Sequence, residues 1–536
     1  MQYLKKIIRK ANIVIILLGL LIPLILFANR FLIPDVSFDS INYHLFLGYK
    51  GVNWTNNKFE FYPTGIHNFS TILEIPGYVF SKVFGYRLGT IGSLIFLYLS
   101  IMVLYKIYRL YNSKLKILDE WWAGVMIVSI FFSFESFLQI ATYYIDIEVA
   151  FLMLLSTYYL LKFEKTRKVS DLIISSISVS IFTLGKMTSW YFLFPYFGYL
   201  FYVLKGFKKN KIKFLILAGG ISVLLILPWL INNFQLTGNP VFPFYNNVFK
   251  SKYFAEKNFD QFVFGGKNLM EKISWGILSA KFPERLGEVH DLFNDYKINI
   301  YFVTTIFALI WAVIKKNKLL KKLAIFYLAT YLSWSYFFGY LRYGLILELF
   351  GGLILLMWME KITKKYLIIV PIVLIMMVQG KRIVNLSLAY DISFRPGYFY
   401  NRESYKKEIN NWGKNKIWID QKISDKYKPE VYLNCALPNM TYYVVSKFNN
   451  LPVFNIDARA NNDMVLNPNY AQESKRRLDG KTRFVTIAAR EGLNDKYNDC
   501  INNLKDKKYT IFAEVEVDSF LGYAGQKLVY IFGEMY

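Results

Sequence analysis

Residues 34–54 read PDVSFDSINYHLFLGYKGVNW, and the run Phe38-Asp39-Ser40-Ile41-Asn42-Tyr43-His44-Leu45 within them decides how the rest of the chain is read. This run follows directly on a first apolar span. An acid, an amide, a phenol and an imidazole therefore stand where the chain has just left a bilayer. A helix starting near Asp39 would put Asp39, Asn42 and Tyr43 on one face, at i, i+3 and i+4. At the helix N-terminus the dipole favours an ionised Asp39 carboxylate. Ile41, Leu45, Gly48 and Val52 would form the opposite, membrane-facing stripe of a helix lying in the interface. On spacing alone Asp39 serves equally well as a plain cap or as a reactive group, and the rest of the chain has to separate the two.

Of 536 residues, 54% are hydrophobic and 19% aromatic, too apolar for a soluble protein of this size. Apolar runs near the ~20-residue spanning length recur along residues 1–380, which reads as a polytopic α-helical membrane protein. The expected spans, about eleven, are 12–33, 88–108, 121–142, 147–162, 171–185, 190–204, 214–232, 299–314, 323–340, 344–359 and 366–380. The pair 171–185 and 190–204 is short. If neither crosses, two crossings vanish together and the later orientation is unchanged.

The net charge of +26 could signal a nucleic-acid binder, so its location matters. Segments 1–11, 104–120, 162–170, 205–214, 314–322 and 360–365 hold 25 Lys and Arg against four acids. They carry +21 of the +26 in short loops on one side, the positive-inside pattern of cytoplasmic loops. No nucleic acid is needed to explain the charge. The first loop (34–87), the long loop 233–298 and everything from 381 on then lie outside the membrane, with the N-terminus in the cytoplasm. Lys5, Lys6, Arg9 and Lys10 before an apolar run resemble a signal peptide. The full span, closed by Arg30 and Pro34, reads instead as an uncleaved first helix. Cys435 and Cys500 both fall in the outer C-terminal part, where a disulfide is permitted, though two cysteines alone do not establish one. The Lys-, Asn-, Ile- and Tyr-rich composition suits an AT-rich bacterium and so its plasma membrane.

Further charged groups collect at the same outer edge. Asp146 and Glu148, in Tyr144-Ile145-Asp146-Ile147-Glu148, sit in a very short turn between two spans, where ionised groups are costly. They could ligate a divalent metal or bind a sugar, or simply be interfacial acids. Lys186 and Arg342 are single cations between outer span ends, against the inner bias, and either snorkel or hold an anion. Gly238-Asn239-Pro240 and Pro243 set tight turns at the start of the long loop. A loop of that length usually functions or caps a site.

From 381 on the chain is soluble, with 24 basic and 18 acidic residues. Runs 416–420, 430–433, 483–488, 510–517 and 527–532 read as strands, and 441–448 and 497–504 as helices. This predicts an extracytoplasmic α/β domain over 381–536, packed on the outer face as a recognition or stabilising cap.

The run 38–45 resembles the Asp-Ser-x-x-Tyr-His-Leu signature of bacterial membrane proteins of the GT-C glycosyltransferase superfamily. Tyr144-Ile145-Asp146-Ile147-Glu148 looks like its second acidic motif, though Asp-x-Glu replaces Asp-x-Asp. Gly185-Lys186-Met187-Thr188, Gly238-Asn239-Pro240-Val241-Phe242-Pro243-Phe244 and Arg342-Tyr343 look like its later markers, without the Leu-Leu-Pro that often follows the last. The resemblance implies a GT-C-like transmembrane module over 1–380. It implies an inverting transferase moving a sugar from a polyprenyl-phosphate carrier to a glycan, lipid or protein acceptor of the cell envelope. Asp39 would be the catalytic base. Lys186, Arg342 and Tyr343 would hold the donor phosphate, and Tyr43, His44 and Asn239 would bind donor or acceptor. Lys186 and Arg342 would act with or without a Mg or Mn ion on Asp146 and Glu148, and no other cofactor is expected. The residue chemistry fits independently, because a lipid phosphate leaves without a general acid, unlike the alkoxide of a glycosidase. The competing classes are a transporter or flippase of lipid-linked sugars, which would put ionisable groups near mid-bilayer, and a non-catalytic envelope-assembly scaffold.

Overall fold

The structure, a computed structural model, describes residues 39–53, 70–111, 134–207, 210–256, 264–287, 296–362, 421–435, 451–456, 468–490, 496–518 and 527–535, with a few positions between them such as Asp35 and Tyr443. The spans expected over 12–33, 121–142 and 366–380 and the strand over 416–420 lie wholly or mostly outside these residues.

A single π-helical turn, Ser40–His44, runs into α1 (Leu45–Val52). Then come α2 (Ile75–Phe84), α3 (Ile91–Tyr111), α4 (Phe134–Gln139), α5 (Asp146–Thr166), α6 (Val169–Gly185), α7 (Leu193–Lys205) and α8 (Lys211–Thr237). The helical part closes with α9 (Leu269–Leu278), α10 (Lys297–Ile314), α11 (Lys318–Phe337) and α12 (Leu345–Ile362). The predicted spans from 88 to 359 that are described match these helices to within a few residues, because a long apolar run closed by Gly, Asn or a basic pair has few other ways to satisfy its backbone. Asn317 caps α11 by accepting from the Leu320 amide at 3.1 Å, and α8 ends on Gly238 at φ +81°. By length and composition, three helical stretches among the described residues can cross a membrane: Tyr86–Leu110, Lys211–Thr237 and Lys297–Ile314.

Helix α5 is the centre of the bundle. It packs against α3, α6 and α12, and α12 is buried on all sides from Leu345 to Met357. Helix α8 is the opposite case. It leans on α6 and leaves Ile216, Leu224, Ile231 and Phe234 exposed, the signature of a helix solvated by lipid.

Beyond α12, the helix α13 (Gln421–Tyr427) and the strands β1 (Val431–Asn434) and β2 (Val453–Asn455) precede α14 (Pro468–Leu478), β3 (Arg483–Arg490), α15 (Lys496–Asp506), β4 (Thr510–Asp518) and β5 (Lys527–Glu534). The strands form one mixed sheet in the order β2-β1-β3-β5-β4, parallel from β2 to β3 and antiparallel from β3 to β4. The four strands predicted within the described residues are present; β2, α13 and α14 are additional. Cys435 and Cys500 are bonded with Cα atoms 4.9 Å apart, tying the end of β1 to α15 beneath Thr486.

The sheet unit sits against one end of the helical bundle. One apolar cluster joins Leu45, Phe46, Tyr49 and Tyr78 to Tyr432, Val453, Val485 and Tyr530, and the Tyr86 and Tyr443 hydroxyls meet at 3.0 Å. This corrects the reading of α1. Leu45 and Gly48 of the expected membrane-facing stripe are buried against α2 and the sheet unit, and Val52 is exposed. Periodicity identified a covered face but not what covers it.

Gly48 is required by that packing: a Cβ there would stand 2.5 Å from Tyr78 Cβ and 2.6 Å from the Glu74 carbonyl oxygen. Gly48→Ala should therefore lower stability by about 1–3 kcal/mol, read as a reduced Tm in detergent. Gly219→Ala on α8, where a Cβ meets nothing within 4 Å, should leave Tm unchanged or raise it.

Candidate active site

Four charged side chains converge at the end of the bundle that carries the sheet unit, each from a place where helical regularity breaks. Asp39 opens the π-helical turn. Asp146 is the first residue of α5. Lys186 stands in extended conformation just past α6, before the 3₁₀ turn Met187–Phe192. Arg342 lies in the 3₁₀ turn Leu341–Gly344 between α11 and α12.

Arg342 Nη1 donates to Asp39 Oδ2 at 2.8 Å, across 303 residues of sequence. The Arg342 Nε lies 3.8 Å from Asp146 Oδ2, and Lys186 Nζ donates to Asp146 Oδ1. Two carboxylates and two cations thus alternate in one chain. All are largely removed from solvent, the Asp146 side chain being 4% exposed and that of Arg342 12%. Tyrosine rings line the cations. The guanidinium is 4.8 Å from the Tyr144 centroid and 5.3 Å from that of Tyr340, and the Lys186 ammonium is 4.9 Å from the Tyr343 ring. Burial alone would raise the Asp39 pKa, but the Arg342, His44 and Lys186 charges outweigh it and hold the carboxyl below its usual range. Asp39 makes no capping bond to its own helix. Its partner is Arg342.

A second cluster adjoins the first. His44 Nδ1 lies 2.9 Å from both Glu74 oxygens, and the two side chains are 2% and 4% exposed. The Tyr43 ring stacks at a tilt 4.3 Å from the imidazole. His44, Glu74, Thr142, Tyr143 and Glu148 line a small enclosed cavity, and Glu148 Oε2 has no hydrogen-bond partner among the described residues. Asp35 braces the wall, accepting from Ser40 Oγ at 2.5 Å and from the Tyr143 amide at 2.8 Å.

Eight of the nine residues singled out in the sequence thus gather in two adjoining clusters: Asp39, Tyr43, His44, Asp146, Glu148, Lys186, Arg342 and Tyr343. Asn239 is occupied elsewhere. Its Oδ1 accepts from the Val241 amide at 2.9 Å and its Nδ2 donates to the Phe244 carbonyl at 3.0 Å, fixing the turn after α8. Glu74 and Asp35 were missed. Glu74 had one signal in the sequence, a lone acid among apolar residues just ahead of an Ile-Pro helix start.

An apolar groove of about 1300 Å³, open mouth included, starts at Met187, the residue after Lys186. Its walls are Met187, Trp190, Tyr191, Phe194, Phe197 and Gly198, closed by Phe244, Tyr245, Phe337 and Phe338. It reaches the cluster through Tyr191, whose hydroxyl donates to the Tyr343 carbonyl at 2.8 Å.

As ligands for a divalent metal the donor set is poor. Both Asp146 oxygens face cations, which leaves Glu148, with its unbonded Oε2, as the one carboxylate of the pair outside the ion pairs among the described residues. Among the described residues, no three His, Cys, Asp or Glu side chains converge as ligands. Lys186 and Arg342 already supply positive charge at this place.

Residues 75–349, just over half of the chain, match the family described as "Domain of unknown function (DUF8201)". No protein of curated function matches by sequence. The fold is similar to that of ArnT from Cupriavidus metallidurans. In its apo state the TM-score is 0.54, at 10% identity, over 96% of this chain and 97% of that one. In its structure bound to undecaprenyl phosphate the TM-score is 0.52, at the same identity and coverage. The fold of ArnT is therefore shared over almost the whole length, in a chain only 10% identical to it.

The ion-pair chain predicts a coupling. Arg342→Met leaves the Asp39 and Asp146 carboxylates facing each other without the guanidinium and should cost about 3–5 kcal/mol of stability. Adding Asp39→Asn should recover part of that loss, giving a favourable interaction term in a double-mutant cycle of unfolding in detergent.

Proposed function

The chain belongs to the DUF8201 family, and on its fold and its buried charges we propose that it is a membrane glycosyltransferase that takes sugar from a polyprenyl-phosphate carrier. The observation that carries this reading is an apolar groove whose wall residues Met187 and Tyr191 adjoin the segments that bear two buried cations, Met187 following Lys186 and Tyr191 bonding the Tyr343 carbonyl beside Arg342. An amphiphile with a long hydrocarbon tail and an anionic head suits that meeting point. Undecaprenyl phosphate, found on the ArnT of like fold, is such a molecule. The tail lies along Phe194, Phe197 and Phe337, and the phosphate displaces carboxylate contacts from Lys186 and Arg342, with Tyr343 beside it.

In this reading Asp39 removes the proton of an acceptor hydroxyl as its oxygen attacks the anomeric carbon from the face opposite the phosphate. A single displacement of this kind inverts the anomeric centre. Lys186 and Arg342 stabilise the charge that gathers on the leaving phosphate. Phosphate is a good leaving group, so one base and two cations suffice and no step is routed through a metal. Tyr43 and His44 line the acceptor side. Asn239 acts through the turn that sets Phe244 and Tyr245 on the groove. The charge pattern of the loops supports a site on the outer face of a bacterial plasma membrane, with an envelope glycan, lipid or protein as acceptor.

The test is sugar release from radiolabelled polyprenyl-phosphate sugars by purified protein in detergent, with an envelope extract as acceptor. Asp39→Asn should keep donor binding and lower turnover by about 10²–10⁴-fold, and EDTA should leave wild-type turnover unchanged. Donor binding without transfer from any carrier would replace this reading with that of a flippase. Gly198→Trp should obstruct the groove, since Gly198 lines it and a Cβ there meets no atom within 4 Å. A rise in KM for long-chain donors, with little change for short-chain analogues, is the expected result.

A further inference from the structure

A helix at the surface of a protein in water turns its polar face outward. Helix α9 does the reverse. Within Leu269–Leu278 the exposed residues are Leu269, Met270, Ile273 and Ile277, a single stripe at i, i+1, i+4 and i+8, with Met270 75% exposed. The other face is committed to the bundle. Trp275 and Gly276 are buried, Asn299 of α10 donates to the Gly276 carbonyl at 2.8 Å, and Ser335 of α11 donates to the Lys272 carbonyl. A Cβ on Gly276 would stand 2.5 Å from the Phe302 ring, so α9 lies directly on α10.

The segment that bears α9 also grips the residues ahead of Arg342. Phe264 stacks on Tyr340 with ring centroids 4.3 Å apart, the Leu341 amide donates to the Leu286 carbonyl at 2.7 Å, and Trp275 Nε1 donates to the Gly339 carbonyl at 3.3 Å. Two glycines at positive φ make the approach possible: a Cβ on Gly339 would stand 2.4 Å from Gly265 Cα. Arg285 closes the segment on itself, donating to the Gly265 carbonyl at 3.0 Å and to Glu271 at 2.6 Å. The grip falls between Phe338, a wall of the apolar groove, and Arg342 of the charged cluster.

We propose that α9 docks on the outer leaflet of the lipid bilayer through Leu269, Met270, Ile273 and Ile277, and that its grip on residues 338–341 ties the Arg342 turn to that surface. Lipid is the occupant because the helices beneath α9 already meet it. α10 is long and apolar enough to cross a membrane and exposes Ile300, Phe307 and Ile310, and α11 exposes Leu332 and Tyr336. The Lys272 ammonium, 4.8 Å from the Tyr336 ring, joins α9 to that exposed side of α11. Exposed Lys267 and Lys281 flank the helix, as suits an apolar face bedded among acyl chains with lipid phosphates beside it. The leaflet is the outer one by the charge pattern of the loops.

The experiment places a thiol-reactive fluorophore on Met270→Cys, Ile273→Cys and, as a control on the exposed side of α14, Gln472→Cys. The full chain is held in nanodiscs of phosphatidylcholine and phosphatidylglycerol. Cys435 and Cys500 are bonded to each other and take no label. Labels at 270 and 273 should lose fluorescence to lipids carrying a nitroxide near the headgroup end of the acyl chain and resist aqueous iodide. The label at 472 should do the opposite. Labels at 270 and 273 that iodide reaches and nitroxide lipid does not would overturn the docking. So would labels shielded from both, which would mean that a partner protein or a second copy covers the stripe. Hydrogen exchange tests the grip: Ile273→Asp combined with Ile277→Asp should speed exchange over residues 339–343 about tenfold in the same nanodiscs. Unchanged exchange there would overturn the tie to the Arg342 turn. Neither readout depends on sugar transfer.

Discussion

The contact between Asp39 and Arg342 is the constraint from which the arrangement of this end of the molecule follows. Neither residue can be left alone in so dry a place, and each draws the segment that bears it. Asp39 brings the first described turn of the chain to the bundle, and Arg342 brings the junction of α11 and α12. Asp146 and Lys186 extend the pairing to the start of α5 and the end of α6. Four separate segments are thus held in register by alternating charge, with the aromatic rings of Tyr144, Tyr340 and Tyr343 replacing the water that would otherwise screen it. The same contacts that hold the fold here are those a bound anion would have to exchange.

This accounts for what could and could not be read from the sequence. Helices α5, α6, α8, α10, α11 and α12 were legible because membrane-length apolar runs allow few alternatives. The motif residues were legible as a group because charge at the mouth of a bundle is expensive and so conspicuous. Their pairing was not. Nothing local to Asp39 points to a partner 303 residues away, and its place ahead of a helix suggested a cap that the structure does not contain. Glu74 was missed for the same reason, since its role is defined by His44, 30 residues earlier. Asn239 shows the converse. Its position among the ordered markers was informative, but its side chain is spent on the turn that bears it. The groove could not be read at all, because its walls come from α7, from the turn before it, from the loop after α8 and from the end of α11.

The sheet unit completes the enclosure. Its tyrosines and branched residues share one apolar cluster with α1 and α2, so the walls of the His44 cavity are held from both sides. The Cys435–Cys500 bond and Thr486 stiffen the far face of the same sheet, behind the strands that meet the bundle.

The strand order carries a consequence for biosynthesis. β5, the last of the described strands in chain order, lies between β3 and β4, and among the described residues β4 pairs only with β5. During translation β4 therefore emerges with no edge to join, and the five-stranded sheet closes only when residues 527–534 arrive. The helices of the bundle are synthesised before the sheet unit that packs on α1 and α2. The order of synthesis itself therefore sets when α1 and α2 receive the apolar partners they share with the sheet.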